Sequence, residues 1–127
     1  MSDSISQFLL LAEQDLENSR LLLQNKSYRA SISRAYYAMY YGTQALLDAK
    51  KVSSRTHKGM IQQFGQHFVR SGDFSANEAQ SLKETYDLRQ LSDYEANEVI
   101  HREQAEKALA ASIEFVARVR DYLAEQR

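Results

Sequence analysis

Three short stretches carry side chains whose types and spacing suit chemistry on an anion. In LRQLSDYE, Arg89 and Asp93 stand four residues apart, so guanidinium and carboxylate share one helix face if the helix runs that far, and Tyr94 follows at once. Taken alone, this is an ion pair at a helix end. In SRAYYAMYYG, Arg34 stands just ahead of four tyrosines. A guanidinium keeps its charge and is costly to bury alone, so Arg34 must reach solvent, a carboxylate on a neighbouring helix or an anionic ligand. In KKVSSRTHKG, Arg55, His57 and Lys58 lie beside what reads as a helix start, a place suited to phosphate.

Other chemistry finds little support. The chain has no cysteine, which removes disulfides, thiolate nucleophiles and cysteine-built zinc sites. There is no glycine-rich phosphate loop, no G-x-S-x-G elbow and no H-E-x-x-H pair. His57, His67 and His101 are far apart in sequence and lack metal-ligand spacing, so neither a metal nor another cofactor is expected. Sixteen basic residues against seventeen acidic ones give a net charge of -1, so any RNA contact must come from a local patch. No apolar run approaches the ~20 residues that span a bilayer, and the N-terminal stretch lacks a basic leader. These features predict a cytoplasmic protein with no membrane contact.

The elements that must position the three stretches are helical. Proline is absent, glycine occurs four times in 127 residues, and strong helix formers are plentiful. The length predicts one domain over residues 1–127. A first helix is expected from Ser4 to Gln24, with Ile5, Phe8, Leu9, Ala12, Leu16, Ser19 and Leu23 at helical spacing and Leu10, Leu11 and Leu22 left for a second contact. Ser27 is positioned to cap a second helix running to Lys50. Its main stripe is Ile32, Ala35, Tyr36, Met39, Thr43, Leu46 and Leu47, while Tyr37, Tyr40 and Tyr41 lie off it, the pattern of a helix covered on several sides. Gly42 would permit close approach of another backbone.

A shorter helix is expected from Thr56 to Val69, burying Met60, Ile61, Phe64 and Phe68, with Gly72 as a stop. Ser75 caps a fourth helix through Ser92, burying Ala79, Leu82, Tyr86, Leu88 and Leu91. A last helix from Arg102 to Glu125 is expected to bury Ala105, Leu109, Ile113, Val116 and Leu123. Long helices with short connections predict an all-α fold, an antiparallel up-and-down bundle of four main helices plus a short additional one.

Together, SRAYYAMYYGTQALLDAK, THKGMIQQFGQHFVRSGDF and LRQLSDYE, in this order and at these separations, resemble the HEPN domain family, closest to its stand-alone bacterial and archaeal branch. The resemblance spans about Ile5 to Leu123. It implies a helical bundle usually paired as a homodimer, often beside a minimal nucleotidyltransferase in a toxin–antitoxin-like module. Active members are metal-independent ribonucleases whose motif is an Arg, a polar residue after it, and a His further on. By this resemblance Arg89 takes the place of the motif Arg and Gln90 that of the polar residue. Where the His is expected, five positions after Arg89, this sequence has Tyr94, and the next histidine is His101. A tyrosine, with an ordinary pKa near ~10, is a poor base at neutral pH, although it can donate a proton.

Two functions follow, and a third needs no ligand. The first is a dimer that binds a nucleotide, RNA or a nucleotidyltransferase partner in a groove lined by Arg34, Tyr37, Tyr41, Arg89, Asp93 and Tyr94, with Arg55 and Lys58 contributing charge. Rings there would stack a base while Arg holds a phosphate. The second is a ribonuclease toxin in which His57 or His101 replaces the lost motif His. The third is a dimeric adaptor with the tyrosine helix as its interface.

Overall fold

A computed structural model describes residues 2–126; Met1 and Arg127 lie outside the described residues. The fold is an antiparallel up-and-down bundle of four main helices, α1 (Asp3–Gln24), α2 (Tyr28–Ala49), α4 (Ala76–Tyr94) and α5 (Arg102–Glu125), with the short α3 (His57–Phe64) between α2 and α4. A π-helical turn, Gly65–Val69, continues α3. No strand occurs among the described residues, and no helix among them is long and apolar enough to cross a membrane.

The helix boundaries follow from local chemistry. Thr56 caps α3 by accepting from the Gly59 amide at 2.9 Å, and Ser75 and Glu78 form a reciprocal capping box on α4. Ser27 precedes α2 without a side-chain cap bond. What ends α1 there is the backbone: Lys26 adopts a left-handed φ of 62°, and the Ser27 and Lys26 amides turn back to the Leu22 and Leu23 carbonyls. Lys51 ends α2 in the same way, with φ 57°. The π turn arises where helix carbonyls have outside partners. Lys50 Nζ donates to the His67 carbonyl at 2.6 Å and the Phe74 amide to that of Phe68 at 2.8 Å, while the Arg70 amide reaches back to Gly65.

Helix α2 is the centre of the bundle, packing on α1, α4 and α5. Small polar residues bring its neighbours close. Ser19 and Ser31 each donate to the other's carbonyl at 2.8 Å across α1 and α2, and Ser112 of α5 donates to the Ala35 carbonyl at 2.7 Å. Because Ser112 faces α2, the expectation that Ile113 is buried is corrected: its side chain points outward and is 48% exposed. Leu10 and Leu11 are also exposed rather than covered by a second contact, while Leu22 is half-buried. Gly42 meets no foreign backbone; a Cβ there would touch only the Val116 and Val119 side chains, at 3.6 Å or more.

Candidate functional site

The site is built on α2, the first turn of α3 and the last turn of α4. Tyr36 is fully buried and Tyr37, Tyr40 and Tyr41 are half-buried, so the tyrosine helix passes from core to surface within two turns. Their rings contact one another at centroid separations from 5.3 to 6.5 Å, mostly edge-on or tilted, as aromatic quadrupoles favour. Phe8 of α1 stacks on Tyr41 from outside.

The fourth helix persists to Tyr94, so Arg89 and Asp93 do share a face. The Arg89 side chain is only 13% exposed and enters the tyrosine cluster. Its Nη2 donates to the Tyr37 hydroxyl at 3.2 Å and its Nη1 to Gln90 Oε1 at 3.4 Å; Gln90 in turn donates to the Tyr86 hydroxyl at 3.1 Å. The guanidinium carbon lies 5.3, 5.8 and 5.9 Å from the rings of Tyr37, Tyr94 and Tyr36. Asp93 Oδ2 sits 2.7 Å from Nε, yet Nε–H is not aimed at it, and this buried donor has no directed acceptor among the described residues. Tyr94 itself is 69% exposed.

His57 joins the same cluster from the other side. Its Nδ1 lies 2.6 Å from the Tyr36 hydroxyl, and its ring packs against Tyr40, Tyr36, Tyr37 and Tyr86 at 5.0 to 6.1 Å between centroids. Burial, and then the Arg89 charge, hold its pKa below the ordinary histidine value. Burial pushes the Tyr36 hydroxyl well above the ordinary tyrosine range, so it stays protonated. Tyr41 is raised as well, by burial and then by the Asp15 carboxylate.

Arg34 is paired with Asp15 of α1 at 3.1 Å and lies 4.8 Å over the Tyr37 ring. Asp15 is buried, so this arginine is first of all a counter-ion. Arg55 and Lys58 flank His57 as exposed cations. His101 precedes α5, where its amide donates to Gln104 at 2.8 Å. Arg34, Tyr37, Arg89, Asp93, Tyr94 and His57 are therefore linked by contact.

Two participants went unread in the sequence. Asp15 had a signal, a carboxylate in register with Ala12 and Ser19 on the inner stripe of α1. The Tyr36 hydroxyl had none, because the residue's position on the main stripe spoke only for core.

A HEPN domain model matches residues 5–122. The chain is 32% identical over 123 residues to "Putative toxin MJ0605" of Methanocaldococcus jannaschii, covering 97% of this chain and 91% of that one. It is 36% identical over 115 residues to the UPF0332 protein glr0978 of Gloeobacter violaceus, covering 90% and 91%. The crystal structure of TT1696 from Thermus thermophilus shares the fold at a TM-score of 0.80 and 16% identity, over 95% of this chain and 99% of that one. With the matched segment running from α1 nearly to the end of α5, the chain belongs to the HEPN domain family.

Proposed function

We propose that this HEPN chain is a toxin-like module that binds RNA or a nucleotide in the groove lined by Arg34, Tyr37, Tyr41, Arg89, Asp93 and Tyr94. The observation that carries the reading is the Arg89 guanidinium, mostly buried, bordered by three tyrosine rings and served by long or misdirected acceptors. A cation in that setting suits a phosphate oxygen, and the half-buried Tyr37 and Tyr41 with the exposed Tyr94 suit contact with a base. Exposed Arg55 and Lys58 extend the positive charge along a nucleic-acid backbone. The toxin-like role is taken from the name of the Methanocaldococcus relative. A second copy of the chain and a minimal nucleotidyltransferase are the partners the family resemblance suggests.

The test is binding of a fluorescein-labelled single-stranded RNA, with AMP as competitor. Arg89→Ala and Tyr37→Ala should each weaken binding by roughly tenfold, the scale of one lost stacking or charge-assisted contact. If the wild-type protein binds neither ligand saturably, the reading is wrong.

One observation favours a second reading, a metal-independent ribonuclease with His57 in place of the missing motif His. In the tautomer whose Nδ1–H donates to the Tyr36 hydroxyl oxygen, Nε2 is the free basic nitrogen, and the lowered pKa favours the neutral imidazole. Such a ring can take a proton from a ribose 2′-OH while Arg89 stabilises charge on the phosphorus centre. His57→Ala and Arg89→Ala should then each abolish RNA cleavage and growth arrest on expression. A wild-type protein that neither cleaves RNA nor arrests growth rejects this second reading and leaves the binding role standing.

A further inference from the structure

The contact between Arg89 and Asp93 differs from an ordinary ion pair at the same spacing. On the same helix, Lys83 and Asp87 are also four residues apart, and there the ammonium donates to both carboxylate oxygens, at 2.7 and 2.8 Å. Asp93 comes as close to Arg89, at 2.7 Å, but Nε–H is not directed at it and stays without an aligned acceptor among the described residues. Arginine's strength as an anion binder lies in its fork, which meets two oxygens with two parallel N–H bonds. Here one carboxylate oxygen lies against the charge, and no pair of oxygens meets the fork with parallel N–H bonds. The remaining hydrogen bonds, to Tyr37 at 3.2 Å and Gln90 at 3.4 Å, are long.

The two partners also differ in freedom. Arg89 is wedged among tyrosines, while Asp93 is exposed in the last turn of α4. That turn is held from outside. The Arg29 guanidinium of α2 donates to the carbonyls of Ser92, Glu95 and Glu98, closing the end of α4 and the segment after it. The backbone on either side of Asp93 is thus anchored, while its side chain, 28% exposed, borders water.

We propose that Asp93 is a displaceable internal anion, occupying Arg89 in the free chain and giving way to a phosphate oxygen of the incoming RNA or nucleotide. The inference rests on the reading of this groove as a nucleotide or RNA site and assigns Asp93 the role of setting its threshold. A ligand must offer Arg89 more than one carboxylate oxygen does, as a phosphate that presents two oxygens would. The exchange is charge for charge, and no bond is made or broken.

The experiment measures binding of a fluorescein-labelled oligouridine RNA to the full chain by anisotropy across a salt series. Asp93→Asn should tighten binding about tenfold, and the slope of log K against log salt should steepen by about 0.7, the effect of one more net positive charge meeting a single strand. In an Arg89→Ala background, Asp93→Asn should change affinity less than about twofold, as should Asp87→Asn in the wild type. Asp93→Ser repeats the measurement should the asparagine variant fold poorly by circular dichroism. Unchanged or weaker binding by the Asp93 variants, with wild-type binding intact, overturns the inference and spares the site. Equal tightening in the Arg89→Ala background also overturns it, since that is a general charge effect. No binding by either the wild type or the Asp93 variants overturns the inference and the site together.

Discussion

The bundle holds two aromatic clusters, and they are finished differently. Around the π turn, Phe64, Phe68, Phe74, Phe115 and Tyr122 pack at centroid separations of 5.3 to 6.5 Å, and all are buried. Around Arg89, Tyr36, Tyr37, Tyr40, Tyr86 and His57 pack at similar separations. Both clusters carry cations over their rings. In the first, Lys50 and Arg118 sit 4.2 and 4.3 Å from Phe68 and Phe74, and their charges are met by Asp73 and Glu78. Its single hydroxyl, on Tyr122, donates to Asp73. In the second, every cluster ring except the histidine bears a hydroxyl, and Arg89 is met by a carboxylate that misses its fork.

The contrast separates packing from function. Rings of either kind bury similar area and gain similar edge-to-face energy, so stability alone would be served by phenylalanine at both ends. A tyrosine hydroxyl adds a desolvation cost unless it finds a partner. Where a core accumulates hydroxyls, a histidine with a lowered pKa and an incompletely satisfied arginine, packing does not account for the choice of residues.

The comparison is broken most severely at the phenylalanine end. Phe68→Ala should cost about 3–5 kcal/mol of stability, because a fully buried ring leaves a cavity, measured by urea unfolding. RNA affinity of the folded protein should not move. At the tyrosine end, Arg34→Met should cost about 1–2 kcal/mol in the same assay. Asp15 would be left buried without its counter-ion, and the figure is reduced because the arginine side chain is 38% exposed.

A pH titration distinguishes the two ends without changing the packing. The folded pKa of His57 lies below its ordinary value of 6.5, so the unfolded chain binds the proton more readily than the folded one. Stability should be at its full value above about pH 6.5 and fall as the pH drops through the interval down to the lowered folded pKa. His57→Gln should flatten that part of the pH profile of unfolding, and a profile with the same slope in the variant contradicts the assignment. None of the rings packed in the phenylalanine cluster is an imidazole. The smallest expected effect lies between the clusters: Gly42→Ala should stabilise by about 0.5–1 kcal/mol, through helix propensity, since the Val116 and Val119 contacts leave room for a methyl group. A loss in thermal unfolding would mean that α5 sits tighter on α2 than these contacts show.

By itself the sequence determined the helices and which residues share a face. Absence of proline, three- and four-residue apolar spacing, and the caps at Thr56 and Ser75 are local properties, so α3, α4 and α5 begin where they were expected to. The pairing of Arg89 with Asp93 was legible for the same reason, both residues lying on one helix. Tertiary structure alone decided which faces meet. Spacing within α5 could not reveal that Ser112 rather than Ile113 lies against α2, because that choice depends on how closely two distant segments approach. Nor could it supply Asp15 to Arg34, or bring His57 of α3 beside Tyr36 of α2 and Arg89 of α4. Those contacts arise from the packing of separate helices, and backbone periodicity carries no information about the angle and distance at which one helix crosses another.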